Sequence, residues 1–227
     1  MKTSAIESRG VISRTLALAA GVLALVALEP AAAHAAAMRF KVDPDRSTVS
    51  VSVAEPAAFI RGHAVGTLRI IDGAIVGDPA DISHTARVRI LLDASSYSSG
   101  NTSRDRSVTE KSLEADKYPT IGFESSSVVG VVMTNPHEGT AIVSGFLTLH
   151  GESHAMTTSV HATLSPDGVF AGDGEFKIDY TDFGVKVPGL LFNSILAGDE
   201  ATVRFHIAAV NEAAPVPNGT PAATPTQ

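Results

Sequence analysis

His150-Gly151-Glu152-Ser153-His154 is the densest grouping of metal-competent side chains in the chain. Zinc proteases of the helical type place two residues between the glutamate and the second histidine, on a helix. Here only Ser153 intervenes and Gly151 makes a turn, so the spacing is wrong. His161 and His206 alternate with apolar neighbours and belong to the polar faces of strands, while His63 and His84 stand elsewhere. The histidines are therefore expected to be solvated, with no metal held. Asp43 and Asp45 flank Pro44 and read as a turn, since a calcium loop needs further ligands.

Catalytic patterns are also missing. The sequence has no Gly-x-Ser-x-Gly elbow, no phosphate-binding glycine loop and no dinucleotide fingerprint. Ser95, Ser96, Ser98 and Ser99 read as a polar linker with no base to activate them. Asp182 and Tyr180 form the one titratable pair worth testing for lipid chemistry. The expectation is no catalytic residue, no cofactor and no enzyme.

What remains is chemistry without directional bonds. Burying a hydrocarbon yields about 0.8 kcal/mol per CH₂ and requires only an apolar wall. Alternation supplies one: Val51, Ile70, Val88, Ile90, Leu92, Phe123, Leu147, Met156, Val160, Phe176, Ile178, Tyr180 and Phe205 share the apolar parity of their segments. Such side chains either fill a fold or line a cavity, and their pattern alone leaves both open. Pro188 to Leu196 is too apolar for an ordinary loop. Leu190 and Ile195 are assigned to a core, Leu191 and Phe192 to a lid or membrane-touching patch.

The elements that would position this wall are strands. Period-two alternation marks Thr48–Val53, Leu68–Ile70, Val88–Leu92, Ile121–Phe123, Met156–Leu164, Phe176–Tyr180 and Val203–Ile207. Ala141–Leu149 is apolar at both parities and reads as a more fully covered strand. Short turns separate these eight, which implies antiparallel neighbours. Eight long antiparallel strands can form a sandwich or a barrel; the barrel, where small-ligand cavities occur, is preferred. One helix is predicted from Ser103 as N-cap to about Ala115, with a thin apolar face of Val108, Leu113 and Ala115, suited to lying over a barrel end. Pro119 then forces the chain into a strand.

Lys2, Arg9 and Arg14 precede the apolar run Leu16–Leu28 and Ala33-His34-Ala35, the order of a secretory signal peptide cut after Ala35. The expected organisation is a signal peptide over 1–35, a lipid-binding barrel over 36–211, and a disordered Pro/Thr-rich tail over 212–227. Export to a periplasm or the extracellular space follows from that leader. The whole chain carries a net charge of −7, and removal of the leader makes it one unit more negative. Such a balance gives no electrostatic reason to bind nucleic acid or anionic lipid surfaces. With no cysteine in the chain, disulfides and thiolate sites are excluded.

Five passages resemble the YceI-like family of exported bacterial proteins: Phe40-Lys41-Val42-Asp43-Pro44-Asp45-Arg46-Ser47; Arg104-Asp105 through Leu113-Glu114 to Lys117-Tyr118-Pro119-Thr120-Ile121; Gly145 to Gly151; Phe176-Lys177-Ile178 with Asp182-Phe183-Gly184; and Gly198-Asp199-Glu200. The resemblance covers about residues 39 to 210. Arg46 stands where a histidine is common, and Glu152-Ser153-His154-Ala155 replaces a basic residue and proline. The resemblance implies an all-β, eight-stranded antiparallel lipocalin-like barrel that sequesters or transports an isoprenoid-type lipid, with transient membrane contact possible. Phe183 joins the ligand-contacting set, and Tyr180 or Tyr118 is a candidate for the polar head. The alternatives are an enzyme acting on such a lipid and a secreted β-module for a protein or surface partner.

Overall fold

The computed structural model describes residues 37–54, 63–78, 81–186 and 199–212. The signal peptide, the segment holding Leu190, Leu191, Phe192 and Ile195, and the tail from Ala213 lie outside the described residues. Within them the alternation becomes nine strands: β1 Met38–Val42, β2 Thr48–Ala54, β3 His63–Gly77, β4 Arg87–Ser98, β5 Thr120–Asn135, β6 Glu138–Leu149, β7 Glu152–Leu164, β8 Val169–Asp179 and β9 Glu200–Asn211.

Nine segments make eight staves. β1 and β2 each run antiparallel to both β3 and β9, β1 along one half of their length and β2 along the other. The first stave is broken where Pro44 cannot donate to a ladder. Ser47 repairs the gap: its Oγ donates to Asp43 O at 2.7 Å and accepts the Ala208 amide at 2.9 Å. Asp43 Oδ1 accepts the Asp45 amide at 3.0 Å, so this pair of acids makes a turn. From there each strand pairs with the next through β9, and the β3–β4 pairing completes an eight-stranded antiparallel closed barrel. Two ladders are short: β4 meets β5 only over Arg89–Asp93 and Thr120–Glu124, and β7 meets β8 only over Val160–Leu164 and Phe170–Gly174.

Both covered faces expected for β6 are not found. Val143, Leu147 and Leu149 are buried, whereas Ile142 and Phe146 are 43% and 52% exposed on the outside. β6 therefore obeys the same alternation as its neighbours, with apolar residues on both sides of the wall.

Two helical pieces sit at opposite ends. α1, Ile82–Thr85, is a single turn absent from the sequence reading; Thr85 Oγ1 accepts the Asp78 amide at 2.8 Å and donates to Asp81 O at 2.6 Å. It packs Ile82 and Ala86 with Val128 and Val143. α2, Thr102–Ser107, starts earlier than predicted. Asn101, not Ser103, is the N-cap, and its side chain accepts the Arg104 amide at 3.1 Å. Ser99 is held by Asp105, whose Oδ1 accepts from the Ser99 amide and hydroxyl at 2.8 and 2.6 Å. The helix then widens into a π turn over Val108–Ser112, with the Leu113 amide on Val108 O at 2.8 Å. Glu114, at φ 45°, turns the chain out.

Candidate functional site

Inward side chains that do not meet leave space. The barrel encloses a cavity of about 820 Å³ that reaches from α1 residues Ile82 and Ser83 to the π-turn residues Val108 and Ser112. At roughly 30 Å³ per water-sized group, this holds on the order of 25 non-hydrogen atoms. Among the described residues no large side chain is less than 2% exposed, as a filled core of this size would require.

Twelve residues of the sequence-derived wall line the cavity: Val51, Val88, Ile90, Leu92, Phe123, Leu147, Met156, Val160, Phe176, Ile178, Tyr180 and Phe205. Register explains the agreement. Ile90 faces Phe123 across β4–β5, Phe123 faces Leu147 across β5–β6, and Phe176 faces Val203 across β8–β9. Two expected residues are absent from the wall. Ile70 is 3% exposed and packed in the core beside a bulge between Ile70 and Asp72. Phe183, also 3% exposed, packs edge-on against the His154 ring at 4.6 Å. Leu191 and Phe192 lie outside the described residues.

Other wall residues escaped the sequence reading. Val49, Val53, Val203 and Ile207 share the parity of chosen neighbours, so alternation applied evenly would have found them. Met38 and Phe40 belong to β1, too short to show a period. Val128, Val131 and Met133 sit in a stretch of β5 whose register shifts break strict alternation.

The space owes much to glycine. A β-carbon at Gly174 would collide with the Phe205 ring, and one at Gly66 with the Tyr97 ring. Both aromatics line the cavity. Because each ring occupies the place of a missing β-carbon, it lies against the wall rather than across the lumen.

Polar groups are confined chiefly to the two ends. Asp81, Ser83, His137 and Glu138 line the α1 end; Tyr97, Ser112 and Tyr180 line the α2 end. Between them Thr158 satisfies itself, donating to Glu175 O at 3.0 Å. No lysine or arginine lines the cavity among the described residues. Burial raises the Tyr97 phenol above its ordinary range, and burial followed by the charges of Asp199 and Asp179 does the same for Tyr180. Both rings therefore stay protonated and able to donate. Tyr180 opens a 3-10 turn, Tyr180–Phe183, rather than continuing β8, and Asp179 caps that turn through Thr181 N at 2.9 Å. Tyr118 is off the wall, its ring tilted by 52° against the His150 ring with centroids 4.4 Å apart. Asp182 is exposed and off the wall, so it does not converge with Tyr180.

The remaining polar side chains serve the scaffold. His206 pairs with Asp173 at 2.7 Å on the outer face, and His161 pairs at 2.9 Å with Glu138 at the α1 rim of the cavity. His150 is not solvated as expected: its side chain is 13% exposed at φ 53°, with Nε2 3.5 Å from Glu114 Oε1. Ser95 and Ser96 belong to β4, not to a linker, and bond Asp93 at the irregular β3–β4 pairing. Among the described residues no three acidic or histidine side chains converge as a metal site would need.

A barrel of this fold occurs among known proteins. The YceI-like domain pattern matches residues 40–209. The chain belongs to the YceI-like family. This YceI-like protein is 26% identical over 179 residues to a UPF0312 protein of Vibrio cholerae, covering 76% of the chain and 89% of that relative. It is 30% identical over 132 residues to a UPF0312 protein of Pseudomonas putida, covering 55% and 65% respectively. The fold is shared with Burkholderia cenocepacia BcnA, at a TM-score of 0.59 and 21% identity over 74% of this chain and 99% of that one. It is shared too with a polyisoprenoid binding domain from Saccharophagus degradans, at a TM-score of 0.57 and 14% identity over 76% and 98%. The names of these relatives designate no enzyme.

Proposed function

We propose that this YceI-like protein is an exported, non-catalytic carrier that sequesters or transports an isoprenoid-type chain inside its barrel. The observation that carries this reading is the apolar cavity of about 820 Å³ running along the barrel. Ten buried CH₂ groups contribute about 8 kcal/mol of transfer free energy, before association and ordering costs, without any directional contact. The isoprenoid class is supported by family membership and by the polyisoprenoid binding domain that shares the fold. Export is supported by the order of basic residues, apolar run and Ala33-His34-Ala35 at the start of the chain.

The test is to express the full chain with its leader, purify it, extract it with organic solvent and record a mass spectrum. A stoichiometric long-chain isoprenoid is expected, on a protein beginning at Ala36. An extract empty of long-chain lipid refutes the carrier reading, and a purified chain that still begins at Met1 refutes export.

A further inference from the structure

The two ends of the cavity differ in exposure. Among the described residues, the lining side chains that are exposed are Asp81, Ser83, Met133, Pro136, His137 and Thr140. All six stand at the α1 end, on α1 and its approach or on the β5–β6 hairpin. At the α2 end the lining residues Ser112, Tyr180 and Val185 are buried. The cavity therefore has its mouth beside α1.

A bulge shapes the lip of this mouth. Past Glu124, where its ladder with β4 ends, β5 continues against β6 to Asn135. Its register slips between Val129 and Val132, around Gly130 at φ 62°. Such a slip bends the strand and re-aims its side chains. Val131 and Met133 line the lumen, whereas Val132 is 63% exposed outside it, next to Val129 and its ladder partner Ile142, at 45% and 43%. Met133 lines the lumen and is itself 54% exposed, so the outer apolar strip is continuous with the cavity wall.

That continuity says what covers the strip. Four aliphatic side chains, each about half exposed, fall well short of the roughly 800 Å² that a stable protein interface takes from each partner. A bilayer makes no such demand, because apolar side chains need only enter its acyl boundary. A hydrocarbon guest is also spared exposure to water if the lumen wall meets the membrane directly. Resting on the carrier reading, we propose that the lip formed by Val129, Val132, Met133 and Ile142 docks on a lipid bilayer and that the guest passes between bilayer and lumen over Met133. The contact is apolar, and a chain of net charge −7 gains nothing from anionic lipid.

The chain has no cysteine, so Val132→Cys can be labelled at a single site with the polarity-sensitive dye NBD. Phosphatidylcholine vesicles are expected to shift its emission to the blue at low and high salt alike. The same dye on Val65→Cys, exposed on the outer face near the α2 end, is expected to stay unchanged. Transfer of geranylgeraniol from phosphatidylcholine vesicles to the delipidated full chain is then timed by pelleting the vesicles. Val132→Asp is expected to slow transfer roughly tenfold without changing the amount held at equilibrium, and Val65→Asp to change neither. No shift at Val132, equal shifts at both sites, a shift that requires phosphatidylglycerol, or unslowed transfer by Val132→Asp overturns the docking and leaves the carrier reading standing. A shift that grows with protein concentration in the absence of vesicles assigns the strip to a second copy of the chain and overturns it too. If the wild type takes up no geranylgeraniol, even when it is added from ethanol without vesicles, both readings fall.

Discussion

Phe205 stands opposite Gly174 in the β8–β9 ladder, and its ring occupies the position a β-carbon on Gly174 would take. The pairing lets a large aromatic belong to the wall of a narrow barrel without crossing its lumen. Gly66 and Tyr97 repeat the arrangement on β3 and β4.

Gly174→Ala should therefore drive the Phe205 ring inward. The expected results are a loss of about 1 to 3 kcal/mol in urea unfolding, typical of overpacking, and a smaller amount of lipid per protein in solvent extracts. Phe205→Leu in the same background should recover part of both, because Ser159 O also lies 2.9 Å from the added β-carbon.

Met156 lines the cavity on β7, opposite Gly145 of β6. Met156→Trp should occupy lumen space and reduce bound lipid. It also introduces an indole into a chain that has no tryptophan, so its emission should shift to the red as added hydrocarbon is withdrawn from the cavity.

The two candidate caps of α2 are separable by mutation. Asn101→Ala should cost about 1 kcal/mol and speed hydrogen exchange at the Arg104 amide, which its side chain accepts. Ser103→Ala should change stability by less than about 0.5 kcal/mol, as for a surface residue without a structural bond.

Asp93 links stability to pH. Hydrogen bonds from Ser95 and Arg69 hold its carboxyl below the usual carboxylate range, against the opposing effect of burial. The carboxylate thus contributes stability above its unfolded pKa of about 3.9, and that contribution fades as pH falls from there through the lower folded value. Urea midpoints measured from about pH 6 down to about pH 2 should fall less steeply for Asp93→Asn than for the wild type, the difference narrowing as pH drops below the unfolded value.

Most strand faces were legible in the sequence because a strand's period of two is local: Val88, Ile90 and Leu92 declare their side of the sheet without reference to any neighbour. The same locality explains the misses. β1 is five residues long and shows no period. Phe183 carries a family motif, but the 3-10 turn after β8 directs its side chain away from the wall. The π widening over Val108–Ser112 is a backbone feature with no compositional signature, and the capping preference of Ser103 was overridden by Asn101 two residues earlier.

From the residues alone came the antiparallel all-β character, the missing thiol chemistry, the acidic balance and twelve of the side chains that line the lumen. Whether those side chains touch each other or stand apart was decided only in three dimensions. Parity is a property of each strand, whereas the width of the lumen depends on how many staves close, how far their registers slip and where a glycine lets a ring lie against the wall. Burial of a side chain is thus written locally, but an unfilled interior emerges from the closure of the whole ring.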